Sequence, residues 1–181
     1  MNLDVAGPFR LSRHGTKKLI TDQSLTELKA QLESWDSGLS KACGCYGFAI
    51  HTPKGYTPYC VGQASKRSIA GEALNPLNRE KYNKKACSES KGIPIIFLLP
   101  KLTPKGRYKK KGRNSATIDF LERWLIAAAI ERNPGLINTK ETRFLRKISV
   151  AGIFNPKKGK PHSASRELKK TLWVTYAGEQ P

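Results

Sequence analysis

The first regular pattern along the chain is helical. Leu25, Leu28, Leu32 and Trp35 recur at spacings of three and four before Gly38, which predicts a helix of about three turns with one buried face. Ser24-Leu25-Thr26-Glu27 has the capping-box form and sets the N-cap at Ser24. The residues before it are mixed and broken by Gly7-Pro8 and Gly15, which reads as an irregular arm. From Gly44 to Ile50 the period becomes two. Tyr46, Phe48 and Ile50 face one side of a strand, and the small Cys45, Gly47 and Ala49 face the other. Pro53-Lys54-Gly55 makes a turn into a second strand, Pro58 to Val61, ending at Gly62.

Lys66 to Ser90 reads as helix interrupted near Asn75-Pro76. Ile95-Ile96-Phe97-Leu98-Leu99 is a continuous apolar run, as in a strand covered on both faces. A long helix from about Thr117 to Arg132 ends at Asn133-Pro134-Gly135, and Leu136-Ile137 adds a short edge element. Ser163 to Leu172 forms a terminal helix. The order predicts an α+β fold, a small, mostly antiparallel, three-stranded sheet flanked by helices. Residues 1–41 make an N-terminal arm and helix, 42–140 the core, and 141–181 a basic C-terminal extension.

Charge narrows the partners. Among 181 residues, 33 Lys and Arg face 14 Asp and Glu, a formal charge of +19. Such a charge repels itself unless a polyanion compensates it. Phosphate backbones do so with counterion release as the drive, so the expected partner is DNA, with RNA equally compatible with the charge alone. A membrane surface would call for a basic amphipathic helix or a lipid signal, and neither is present. The chain shows no signal peptide and no apolar run near the roughly 20 residues that span a bilayer, so the expected location is cytoplasmic. Cys43, Cys45, Cys60 and Cys87 are then thiols, and their spacing does not match the paired ligands of common zinc sites.

One carboxylate is out of place. At 100° per residue, Ile118, Leu121, Leu125, Ile126, Ala128 and Ala129 form an apolar stripe, with Asp119, Arg123 and Glu131 on the other side. Glu122 falls inside the stripe, four residues from both Ile118 and Ile126. A carboxylate there is paired with a cation, bound to a metal, or protonated.

With that residue the chain resembles the GIY-YIG nuclease superfamily over roughly residues 42–140. Gly44-Cys45-Tyr46 resembles the first signature strand and Cys60-Val61-Gly62 the second. Leu121-Glu122-Arg123-Trp124-Leu125-Ile126 resembles the segment with the family's metal-binding glutamate, and Asn133-Pro134-Gly135-Leu136-Ile137-Asn138 the stretch ending in its asparagine. The resemblance implies a metal-dependent endonuclease that hydrolyses DNA phosphodiesters, with one Mg²⁺ or Mn²⁺ ion on Glu122. It implies that Tyr46 helps activate the water and that Asn138 supports the site. Such an enzyme fits restriction, defence or repair alike.

Two positions depart from that pattern. Cys60 stands where the second signature tyrosine is expected, and Tyr59, one residue earlier, falls on the opposite strand face by simple alternation. The family's arginine is expected near residues 69–72, where Ala70 and Glu72 stand. Lys81 is the expected replacement, with Arg67 and Arg79 as further candidates. A nucleic-acid-binding protein that keeps the fold but cuts weakly or not at all is the alternative. A tyrosine with a pKa near 10 needs nearby positive charge to serve as a base.

Between Lys101 and Arg113 lie Lys101, Lys105, Arg107, Lys109, Lys110, Lys111 and Arg113, with Tyr108 among them and no acid. A solvated loop of this kind, leading into the helix of Glu122, is placed to hold phosphates beside the cut. Lys157, Lys158 and Lys160 form a second basic cluster. Trp124 and Trp173 read as core or docking residues, and His162 as a surface histidine.

Overall fold

The computed structural model describes residues 2–88, 91–110, 116–138, 142–147, 150 and 162–172. Contacts divide the chain into two compact units, residues 1–138 and 139–181.

The first unit is built on a four-stranded antiparallel sheet. The hairpin expected around Pro53–Gly55 is present, with β2 spanning Gly44–Thr52 and β3 Gly55–Ala64. The apolar run is β4, Ile93–Pro100, which pairs with the other side of β2. The fourth strand, β1 (Ala6–Arg10), pairs with β4 and gives the order β1-β4-β2-β3. The sheet is therefore larger than the three strands expected. β1 escapes the reading by alternation because it holds Gly7-Pro8 and a register shift between Ala6 and Phe9. Such a shift breaks the period of two.

One sheet face carries Phe9, Tyr46, Phe48, Ile50, Ile96 and Leu98, all buried. Helix α1 (Asp22–Trp35) covers it with Leu28 and Leu32, both fully buried. Its N-cap is Thr21 rather than Ser24. The Thr21 amide donates to the Ser24 hydroxyl at 2.9 Å, and that hydroxyl donates to the Ser12 carbonyl at 2.8 Å. Ser24 thus sits within the first turn, and Glu27 pairs with His14 instead. Trp35 stays 60% exposed, with its ring edge-on to Phe9.

The helix predicted after β3 is broken where Asn75-Pro76 indicated. α2 (Ile69–Ala73) is capped by Ser68, and α3 (Pro76–Lys81) by Asn75, whose side chain accepts from the Asn78 amide. The chain then continues as a π-helical segment, Tyr82–Cys87. Insertions of this type in a helix are frequent at functional sites.

The small residues of β2 face α4, Ala116–Arg132. There the Cys45 thiol lies 3.7 Å from the Ile118 carbonyl. α4 buries Ile118, Ile126, Ala129 and Ile130, leaves Leu121 and Leu125 half-buried, and exposes Ala128. The buried stripe is therefore narrower than expected and rotated toward Ile130.

β3 is an edge strand, and the chain after α4 covers it. The Ile137 amide donates to the Tyr59 carbonyl at 2.8 Å, and the Asn133 side chain donates to the Pro58 carbonyl at 2.7 Å. Asn138 accepts from the Val61 amide at 2.9 Å and donates to the Val61 carbonyl at 2.6 Å. An amide side chain here does what a neighbouring strand's backbone would do, and it caps an exposed ladder. Leu136-Ile137 forms this edge cover without being a strand.

In the second unit the described elements are α5 (Thr142–Lys147) and α6 (Ser163–Leu172). The His162 ring meets the amide and hydroxyl of Ser165 in the first turn of α6. Among the described residues no helix is long and apolar enough to cross a membrane.

Candidate active site

Tyr46 stands at the middle of the site. It lies on β2 directly opposite Gly62 of β3. A Cβ on residue 62 would overlap the hydroxyl and the ring carbon of Tyr46 that carries it, so only glycine lets the ring lie over the β3 backbone. The hydroxyl accepts from the Asn78 side chain at 3.0 Å. Asn78 also donates to the Glu72 carbonyl at 2.9 Å, and the Asn75 side chain donates to the Glu72 carboxylate at 3.1 Å. The Asn75-Pro76 break therefore delivers Asn78 to Tyr46.

Four residues further on, Tyr82 is fully buried with its ring stacked on Phe48 at 3.9 Å and 5°. Its hydroxyl adjoins the Cys60 thiol and the Tyr46 hydroxyl but has no partner within hydrogen-bond geometry among the described residues. Burial pushes the Cys60 thiol up to about 11, with the Lys81 charge opposing. Lys81 thus acts on the thiol while its own residue is exposed.

Glu122 is half-buried between the buried Ile118 and Ile126. Its charge contributes to raising the Cys45 thiol to about 12, after burial, and also raises Tyr46 and Cys60. Asp119 lies on the same side rather than away from it. It accepts from the Gln63 side chain, and its charge also raises Cys45.

The Tyr46 phenol is held well above its ordinary range. Burial is the main cause, followed by Cys60 and the Glu72 charge, with Glu122 adding and the Asn78 hydrogen bond opposing. The positive surroundings needed to make Tyr46 a base are therefore replaced by burial and two carboxylates. The phenol stays protonated at neutral pH.

Tyr59 does not lie opposite to Cys60 across the strand. Phe48 pairs with Cys60 while Ala49 pairs with Pro58, so Tyr59 is the extra residue of a β-bulge. It packs half-buried against the core cluster that contains Cys60. Arg79 is drawn toward α1, where its guanidinium meets Asp22 at 2.8 Å. Arg67 is exposed on the turn between β3 and α2.

The basic loop is more ordered than a solvated loop. Leu102 bridges Tyr108, Ala42 bridges Lys110, and the Thr103 amide donates to the Arg107 carbonyl at 2.8 Å. Tyr108 donates to Asp36 at 2.7 Å. The side chains of Lys105, Arg107, Lys109 and Lys110 remain exposed, and Lys101 is half-buried. Lys111, Arg113, Lys157, Lys158, Lys160 and Trp173 lie outside the described residues. Trp124, read as core or docking, is 57% exposed.

The donor chemistry suits a hard cation. Glu122 and Asp119 offer oxygens one helical turn apart, while burial keeps the Cys45 and Cys60 thiols protonated. Among the described residues no three His, Cys, Asp or Glu gather into a closed cage. Magnesium commonly takes one or two carboxylates and keeps its remaining positions for water and phosphate, which fits such a set.

Asn78 and Tyr82 are the site residues that sequence reasoning missed. The available signal was their spacing of four after the Asn75-Pro76 helix start, which puts both on one helix face. Compared with known proteins, the chain matches no family model, no curated protein and no solved structure.

Proposed function

We propose that the protein is a metal-dependent endonuclease of the GIY-YIG type that hydrolyses DNA phosphodiesters. The observation that carries this reading is the half-buried Glu122 on α4, whose charge is felt by Tyr46 on β2 and Cys60 on β3. In this reading, segments that resemble three of the family's signatures share the electrostatic influence of one carboxylate. The hairpin β2–β3 with β4 against β2 also supplies a three-stranded antiparallel arrangement within the larger sheet.

In this reading Glu122 holds one Mg²⁺ or Mn²⁺ ion, with Asp119 within one turn to orient its water. The ion, when bound, polarises the phosphate and lowers the pKa of a bound water. Tyr46 keeps its proton. Because Asn78 occupies one lone pair of its oxygen, the O–H points elsewhere, and it orients the attacked phosphate as a hydrogen-bond donor. Lys81 compensates phosphate charge in place of the arginine that Glu72 displaces. Lys105, Arg107, Lys109 and Lys110 hold the flanking backbone.

A second reading is favoured by two observations. Tyr46 is only 4% exposed and Glu72 stands where a cation is expected, so a binding protein with weak or no cleavage fits the same fold. Supercoiled plasmid incubated with Mg²⁺, with Mn²⁺ and with chelator separates the two. Nicking that needs the metal supports the nuclease, and unchanged plasmid bound by the protein supports the alternative.

A further inference from the structure

Away from Tyr46, near the start of β4, an open cleft of about 460 Å³ lies beside the end of β1. Arg10, Arg13 and Lys18 line it together with Gly15, Ile93 and Pro94, and no acid does. Two features set this cleft apart from scattered surface charge. Arg13 is half-buried and fixed, with its guanidinium donating to the Gly92 carbonyl at 3.2 Å and bearing on the Cys87 thiol. Lys18 is held at φ +48°, a region that non-glycine residues seldom adopt. The turn that holds it is closed by reciprocal backbone bonds between His14 and Leu19, at 2.7 and 3.0 Å. A strained lysine in a closed turn costs stability that glycine would not, and here it puts a cation on the rim of the cleft. Glu27 on α1 pairs with His14 and lies beside Ser12 of the cleft, and Asp22 pairs with Arg79.

We propose that this cleft binds a backbone phosphate of the nucleic acid, as an anchoring site separate from the Tyr46–Glu122 site. Pro94 lies four residues along β4 from Leu98, the partner of Tyr46, which is about 13 Å of strand. That spacing along the strand is close to the axial rise of about four base pairs, a length that one duplex spans. The inference shares with the proposed function only its phosphate-bearing partner and does not depend on cleavage.

The test uses Arg10→Gln with Lys18→Gly, the second change keeping the left-handed turn while removing the charge. A control of equal charge, Lys29→Gln with Lys54→Gln, alters exposed lysines on α1 and the β2–β3 turn. Duplex affinity is measured against salt in chelator, where no cutting occurs. The cleft variant should lower affinity and make the logarithmic salt slope shallower by about 1 unit, at roughly 0.9 for the one phosphate contact. The control should change the slope by less than half as much. Equal loss in both variants would reduce the cleft to net charge and overturn the proposal, as would no loss in either. A parallel titration with inorganic pyrophosphate covers the other source of the same chemistry. Lost pyrophosphate binding with unchanged duplex binding would assign the cleft to a free phosphate compound and also overturn it. Absence of plasmid cleavage by the wild type counts against the nuclease reading and leaves this result standing.

Discussion

The side chain of Asn78 donates to the Tyr46 hydroxyl at 3.0 Å, joining the start of α3 to β2, one of the two inner strands of the sheet. Tyr82, one turn beyond Asn78, brings a second hydroxyl to the same place but makes no hydrogen bond of acceptable geometry there. The two buried phenols therefore differ in what their hydroxyls contribute.

Phenylalanine substitutions measure that difference. Tyr46→Phe leaves Asn78 with only the Glu72 carbonyl as partner for its side-chain amide, and should cost about 1 kcal/mol in urea unfolding. Tyr82→Phe keeps the stacking on Phe48 and removes an unpaired buried group, so stability should stay within about 0.5 kcal/mol or rise. Cleavage should fall with Tyr46→Phe, because the donor to phosphate is gone. A larger stability loss from Tyr82→Phe than from Tyr46→Phe would contradict this account of the pair.

Alkaline pH should weaken the fold in a defined window. Burial raises the Cys45 thiol to about 12 and Cys60 to about 11, and it raises the Tyr46 and Tyr82 phenols as well. An acid whose folded pKa lies above its unfolded value stabilises the fold fully below the unfolded pKa. That contribution is lost as pH rises from about 9 toward the folded value. Urea midpoints should therefore fall between about pH 9 and 11, and Cys60→Ala should make the fall shallower. An identical pH dependence in Cys60→Ala and wild type would show that the thiol does not contribute.

How much of this was legible in the chain depends on how local each cause is. The β2–β3 hairpin, β4 and α4 follow from periods of two, an apolar run and a period near 3.6, all local signals. Tyr46 and Glu122 could be named for the same reason, because their own neighbours mark them. β1 is hidden because Gly7-Pro8 and a bulge break its alternation, and simple alternation gives Tyr59 the wrong face because a bulge is a pairing event between strands. The start of α1 moved to Thr21 because the Ser24 hydroxyl is used inside the first turn and by Ser12. Asn78 and Tyr82 reach Tyr46 only through tertiary packing, which no window along the chain displays. A helical wheel puts Asp119 on the polar side of α4 because it omits Gln63, its partner from β3.

The basic loop makes a separate prediction about binding. Lys109 is tied through its backbone, to Lys101 and Cys43, while its side chain is exposed. Changing Lys109, Lys110 and Lys111 together to alanine should therefore leave thermal stability within about 0.5 kcal/mol. Affinity for two unrelated duplexes should drop alike, with the logarithmic salt slope shallower by about 1 to 3 units. Parallel salt lines would mean that these lysines only face solvent. A loss confined to one duplex would mean that they read sequence.

The central claim is that the carboxylate of Glu122 carries the metal that cuts DNA, and one comparison tests it most directly. Wild type and Glu122→Gln are incubated with supercoiled plasmid at equal Mg²⁺ or Mn²⁺, after duplex affinity in chelator and thermal unfolding have been matched. The wild type should nick the plasmid only with metal present, and the glutamine variant at a rate lower by about 100-fold or more, with binding and stability nearly unchanged. Cleavage by Glu122→Gln at the wild-type rate would contradict it.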